Sequence, residues 1–440
     1  MRRLVPLLAV LAACPAAVPP PAAPTPPVRP VPVVAAPPAP APAPAGDEPP
    51  ALRLPRAFVP SAYSAKLAID PNKPTFEGAI AIDGTIGAAT SVIWLHGYHL
   101  AIHAATASRG GATVALAVTP RGEELLELRA ATPLEPGAWQ LALAYTGEID
   151  PVVTLGAFKE TAGGRAYVYT QLESIGARRV FPCLDEPDSK VPWQLTLDVP
   201  KGDLAVANTT PVHDAALPDG GHRVEFAPTK PLPSYLVAFG VGPFDVVPAG
   251  QTQSGVPVRI VVPKGRAADA AYAAQVTAHI VDLLEDWFGI PYAFGKVDLL
   301  AIPLTSGFGA MENAGLVTFA ENLVLIEPHH PSWRRRAAFV RVAAHELAHQ
   351  WFGDLVTTAW WDDIWLNEGF ANWMETKITA AFEPSWHAEL QDVKMRDEAQ
   401  QADSLVTARQ IRQPIENEND ILNSFDGITY DKGASVLRMF

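Results

Sequence analysis

From about residue 51 to 242 the hydrophobic positions of this chain recur with period two. Tyr63, Ala65, Leu67 and Ile69 alternate with Ser64, Lys66, Ala68 and Asp70. Trp139, Leu141, Leu143 and Tyr145 repeat the pattern, as do Trp193, Leu195, Leu197 and Val199. Successive strand residues point to opposite faces, so each run predicts a strand with one side buried. Turn-forming stretches such as Asp70-Pro71-Asn72-Lys73-Pro74 separate the runs. Together they predict an antiparallel, β-sandwich-like domain over 51–243.

After Gly255 the period changes. Tyr272, Val276, Ile280, Leu283, Leu284 and Trp287 fall along one side of a helix predicted over 267–288. Residues 297–302 read as a short buried strand, and further helices are predicted from about Trp333 to Phe352 and from about Leu366 to Ala381. A β domain is therefore followed by an α+β domain over 244–440.

The first fifty residues fit neither pattern. Sixteen of the 44 prolines lie between Pro15 and Pro50, almost entirely among Ala and Val. Such a segment favours extended polyproline II and acts as a spacer rather than a packed domain. Ahead of it, Arg2 and Arg3 precede an apolar run from Leu4 to Ala13 that is too short to span a bilayer. Leu11-Ala12-Ala13-Cys14 resembles the lipobox of bacterial lipoprotein precursors. That resemblance implies a signal peptide over 1–13, lipidation of Cys14 and a stalk over 14–50. It implies a lipid-anchored protein of the bacterial cell envelope, on the periplasmic or extracellular side, with the outer membrane favoured over the inner. The alternative is an ordinary signal peptide cut at an Ala-x-Ala site; either way the protein is exported. The other cysteine, Cys183, then has no partner within the chain, so a disulfide-stapled scaffold is excluded. A formal net charge of −14 argues against a nucleic-acid partner.

The strongest chemistry sits on the last two predicted helices. His345-Glu346-Leu347-Ala348-His349 is an HExxH motif. On a helix, positions i and i+4 share a face, so both imidazoles can bind one metal. A catalytic zinc site needs three protein ligands and one open position. Eighteen residues separate His349 from Glu368, in Trp365-Leu366-Asn367-Glu368-Gly369-Phe370-Ala371-Asn372. Gly353 can end the first helix and Trp360-Trp361-Asp362-Asp363 can turn the chain back, which would aim Glu368 at the histidines. Asn372 and Glu375 follow Glu368 at i+4 and i+7. They are either acceptors that orient the ligand histidines or ordinary polar helix positions. The aromatics Trp351, Phe352, Trp360, Trp361, Trp365 and Trp373 read as packing around the site. Glu346 is not placed as a ligand and can act as general base on a water that zinc acidifies, the chemistry of peptide or ester hydrolysis.

Gly309-Ala310-Met311-Glu312-Asn313 lies about thirty residues ahead of the HExxH motif. GAMEN, HELAHQWFG and WLNEGFA together resemble the aminopeptidase N family of gluzincin zinc metallopeptidases. The resemblance implies a thermolysin-like catalytic domain with one Zn²⁺ per chain, held by His345, His349 and Glu368. It implies that Glu312 binds the free α-amino group of a peptide and that Gly309, Ala310, Met311 and Asn313 lie along the substrate. Gln171-Leu172-Glu173 and Phe181-Pro182-Cys183-Leu184-Asp185-Glu186-Pro187 resemble the end of the family's N-terminal β domain. Gln171 would line the first pocket and Glu173 would join Glu312 around the amine, while Arg178 and Asp185 are read as structural. Ile428-Thr429-Tyr430-Asp431-Lys432-Gly433-Ala434 resembles the segment bearing a catalytic tyrosine, so Tyr430 would donate to the oxyanion.

Asp354 stands where many members have asparagine, and Ala320 where many have arginine; neither change removes a ligand. Most members also carry a helical C-terminal domain that roofs the site. The sequence stops at Phe440 within what reads as a continuing helix. The expectation is a catalytic domain incomplete at its C-terminal end, or an unusually open site. The reading that follows is a monomeric zinc aminopeptidase acting on peptides with a free N-terminus. Its rivals are an endopeptidase like thermolysin, which would not need Glu312 or Glu173, and a catalytically silent member, which would be expected to lose a ligand or the base. A fourth, epoxide hydrolysis, goes with a different glycine-rich motif.

Overall fold

Strand Phe58–Ala68 buries Tyr63, Ala65 and Leu67 and turns Lys66 outward, as its alternation requires. It lies between Thr75–Ile86, to which it is antiparallel, and Trp193–Val199, to which it is parallel. That second pair departs from the antiparallel order expected for the domain, which the other ladders of this sheet keep. The two strands are far apart in sequence, so no hairpin sets their direction, and matching of buried faces fixes only their register. In the parallel register Tyr63 stands beside Trp193 and Leu67 beside Leu197, and the rings of Tyr63 and Trp193 stack with centroids 4.0 Å apart. The computed structural model describes residues 48–329 and 332–439. The signal sequence, Cys14 and the linker up to residue 47 lie outside the described residues.

Among the described residues these strands belong to a ten-stranded sheet. Strand Ala112–Arg121 pairs through its first half with Ala101–Arg109 and through its second half with Leu125–Leu134. It thus carries the sheet from one layer to the next, and a single core fills the space between. Cys183 is buried there without a disulfide. Its backbone pairs with that of His96 through bonds of 2.8 and 3.1 Å. A smaller four-stranded sheet holds Gly156–Ala162, Arg165–Gln171, Leu204–Ala207 and Phe239–Gly242. Its strand Arg165–Gln171 ends at a cavity that Gln171 and, two residues on, Glu173 line.

Arg178 and Asp185 are structural, as expected. The buried guanidinium bonds Asp185 at 3.0 Å, Glu124 at 2.9 Å and Glu418 at 2.7 Å, tying the β domain to the C-terminal part of the chain.

A five-stranded sheet follows, with strand Phe244–Gln251 at one edge. Three parallel strands, Pro257–Pro263, Val297–Ile302 and Leu316–Ala320, form its centre, and the two-residue strand Ala310–Met311 forms the other edge. Helix Ala271–Phe288 makes the crossover between the first two parallel strands. It is four residues shorter at its start than the apolar pattern predicts, because Ala267–Ala270 form a 3₁₀ turn. Phe158, Tyr167 and Tyr169 of the first domain pack with Phe244, Leu300 and Ile302 of the second, so the two share a core.

Candidate active site

Helix Trp333–His349 presents His345, Glu346 and His349 inward, all buried. It stops three residues earlier than predicted. Gly353 then takes φ +146° in a tight turn closed by its N–H on Val356 O at 2.7 Å. The chain returns through the 3₁₀ turn Trp361–Asp363 into helix Ile364–Phe382, which carries Glu368. Lys190 of the β domain fixes the connection. Its ammonium donates to Asp354 O, Leu355 O and Thr357 Oγ1 at 2.7, 2.9 and 2.8 Å.

Three donor atoms converge. His345 Nε2 and His349 Nε2 are 3.2 Å apart, and Glu368 Oε2 lies 3.4 and 3.5 Å from them. A tetrahedral zinc with bonds near 2.0–2.1 Å needs donors about 3.3 Å apart, so this triangle fits the ion. The electrostatics fit it too. Burial opposes protonation of His345, yet Glu368 and Glu375 carry its pKa up to about 10. Burial acts to raise the Glu368 carboxyl, but His345 and His349 pull it down to about 2. The cluster draws positive charge to the place where a cation would sit, and the proton on each histidine is what a metal displaces.

The groups around this triangle divide into those the motif spacing points to and one it does not. Glu375 Oε2 lies 3.6 Å from His345 Nδ1 and so faces a ligand histidine, as one of the two readings of that position had it. Asn372 instead donates to Asp431 at 3.2 Å. The partner of the other histidine is Asn367, which sequence reasoning missed. Its Oδ1 accepts from His349 Nδ1 at 2.9 Å and its Nδ2 donates to Glu312 Oε1 at 3.2 Å. That acceptor places the proton of neutral His349 on Nδ1 and leaves Nε2 for the metal.

Among the described residues no hydrogen-bond donor holds the Glu346 carboxylate charged. Burial raises its carboxyl to about 8, against the pull of His345. Its carboxylate lies within 4.8 Å of donor atoms of Glu312 and His349. Glu173, Glu312 and Glu368 form an overlapping group with the same spacing. Burial, then the carboxylates of Glu312 and Glu368, push Glu173 well above the usual carboxylate range. Tyr430 stacks beside His345, ring centroids 6.2 Å apart. Burial and the surrounding carboxylates push its hydroxyl far above the ordinary tyrosine value, so it stays a donor. Its segment is held close because Gly369 and Gly433 meet at their backbones; a Cβ on Gly369 would stand 2.8 Å from the Gly433 carbonyl carbon.

Glu173, His345, Glu346 and Tyr430 open onto a cavity of about 540 Å³ lined also by Gln171, Gly309 and Ala310, with Glu312, His349 and Glu368 set behind its lining. Met311 and Asn313 do not line it. Strand alternation turns Met311 into the core, and Asn313 Nδ2 donates to Thr318 Oγ1 at 3.3 Å. Phe308, Leu422 and Phe425 add an apolar wall that the motifs do not mark. Asp354 is buried with neither carboxylate oxygen hydrogen-bonded. Burial and nearby Glu312 raise its pKa well above the usual range.

Comparison with known proteins identifies the family. The family model described as Peptidase M1 N-terminal domain matches residues 59–236, and that described as Peptidase family M1 domain matches 272–440. Aminopeptidase M1 of Arabidopsis thaliana is 35% identical over 396 residues, which cover 88% of this chain and 45% of the plant protein. Puromycin-sensitive aminopeptidase of Caenorhabditis elegans is 35% identical over 398 residues, 88% of this chain and 42% of its own length. Glutamyl aminopeptidase of Bos taurus is 33% identical over 402 residues, with coverage of 88% and 42%. The chain thus spans under half the length of these relatives. From the two consecutive family matches, the shared motifs and the gathered site, the chain belongs to the M1 family of peptidases, the family that contains aminopeptidase N.

Proposed function

We propose that this protein is a zinc aminopeptidase that removes single residues from peptides with a free N-terminus. One observation carries the proposal: the carboxylates of Glu312 and Glu173 stand beside the metal triangle and are not part of it. A cationic α-amine bound between them puts the first peptide bond, and no later one, at the triangle. The carboxylates also count against an endopeptidase, and the intact set of His345, Glu346, His349, Glu368 and Tyr430 counts against a silent member.

His345, His349 and Glu368 would hold the zinc, which when bound polarises the substrate carbonyl and makes water more acidic. Glu346 takes the proton of the attacking water; its raised affinity for protons suits it to pass that proton to the departing nitrogen. Tyr430 donates to the oxygen that becomes negative as the carbonyl carbon turns tetrahedral. Gln171 stands at the wall beside Glu173, where the first side chain would enter.

Paired peptides with free and N-acetylated termini test the proposal. The zinc-loaded protein should release single residues from the free form, with kcat/KM for the acetylated form lower by at least about a hundredfold. Equal cleavage of the two would overturn it. We propose further, on Leu11-Ala12-Ala13-Cys14 alone, that Cys14 carries a lipid. Cys14→Ser should move the protein out of the membrane fraction, and retention there would count against the anchor.

A further inference from the structure

We infer that Gln350 fixes the distance between Glu312 and the metal ligands, and is thereby a positioning residue for recognition of the substrate's α-ammonium group. This rests on the reading above in which Glu312 binds the amine.

Glu312 follows a strand of only two residues at the edge of the sheet. Ala310 and Met311 pair with Phe319 and Thr318, and the one further rung, Ala320 N–H on Gly309 O at 2.8 Å, lies on the side away from Glu312, so strand pairing by itself is a weak anchor for the carboxylate. Other contacts hold the turn 312–315, and the central one is Gln350, the residue after His349. It is 1% exposed. Its Nε2 donates to the Glu312 carbonyl at 2.6 Å. Its Oε1 accepts from the Gly315 N–H at 3.2 Å and from the Tyr292 hydroxyl at 2.9 Å. One side-chain amide thus clasps both ends of the turn, using a donor and an acceptor at once. A side chain with only one of those functions cannot do this.

The far side of the turn cannot yield. Gly315 takes φ +73°, and a Cβ there would stand 2.4 Å from Asn208 O. Its carbonyl accepts from the buried Lys296 ammonium at 2.6 Å, which is itself paired with Asp298 at 2.8 Å. Asn367 holds the Glu312 carboxylate, but a side-chain contact of that kind follows the backbone wherever it goes. Gln350 is what ties the Glu312 backbone to the helix that supplies two metal ligands. Without it the Glu312 carbonyl is left buried and unpaired, and the turn moves to recover a partner. Displacements near 1 Å at a binding group are enough to cost large factors in rate.

The test is binding to the zinc-loaded full chain of two probes that differ in one group: leucine hydroxamate and its counterpart without the α-amine, 4-methylpentanohydroxamic acid. Wild type should prefer the amine-bearing probe. In Gln350→Met, which keeps the side-chain length, that preference should fall about tenfold. Zinc content and affinity for the amine-free probe should stay within about twofold of wild type. Tyr292→Phe removes one bond to Gln350 and should lower the preference about threefold. It decides the matter if Gln350→Met fails to fold or to bind zinc. A wild type without amine preference overturns the reading of Glu312 and this inference with it. A preference kept intact in the deciding variant overturns the inference alone.

Discussion

A Cβ built on Gly353 would stand 2.4 Å from Asn367 Oδ1, the same oxygen that accepts from His349 Nδ1. The turn after the HExxH helix and the support of His349 thus occupy one space. Gly353 also has φ +146°, where a side chain is strained. Gly353→Ala should push Asn367 off His349 and lower zinc affinity about 10- to 100-fold, the usual effect of losing such a support. Competition with a chelator of known affinity measures this. Unchanged affinity would show that His349 needs no help from Asn367.

Glu346→Gln keeps the shape of the side chain and removes its basicity. Metal content should remain near one zinc per chain while turnover falls by about 10²–10⁴. Retained turnover would remove Glu346 as the base.

Tyr430→Phe deletes the hydroxyl and leaves the ring beside His345. If the hydroxyl acts only as negative charge develops, kcat should fall about 10²–10³ with KM changed little. A rise in KM with kcat preserved would instead make Tyr430 a substrate contact.

The metal triangle was legible because its spacing is local: i and i+4 on one helix, then a return through a short turn. Asn367 was not. It precedes Glu368, and neighbours on a helix point about 100° apart, so sharing a face with the ligand could not find it. It matters because His349 and Glu312 approach from elements distant in sequence. The direction of the Phe58–Ala68 and Trp193–Val199 pair was hidden for a related reason, since alternation reports faces and says nothing of polarity. Gln171 and Glu173 were found through family likeness alone. Leu422 and Phe425 reach the cavity from a stretch without clear periodicity, and no pattern marked them.

Stability of the β domain should depend on acid through His96. Burial, reinforced by Arg178 and Arg56, holds its pKa well below the ordinary 6.5. Its Nδ1 accepts from the Asp185 N–H at 3.1 Å, which needs the neutral ring. As pH falls below 6.5 the unfolded chain gains a proton there and the folded chain does not. Stability present above pH 6.5 is therefore lost in acid, by up to about 1.4 kcal/mol per pH unit from this group. Denaturant unfolding from pH 7.5 to 5 should show the slope, and His96→Gln should flatten it by about one proton. Equal slopes in the two proteins would rule His96 out.

Gln171 and Glu173 leave a strand of the first domain, while Glu312 and the metal ligands belong to the second. If the amine is bound as proposed, the groups that tell a chain end from a chain middle are therefore written in two separate parts of the sequence. The core that Phe158, Tyr167 and Tyr169 share with Phe244, Leu300 and Ile302 is then what keeps the two parts of that reader in register.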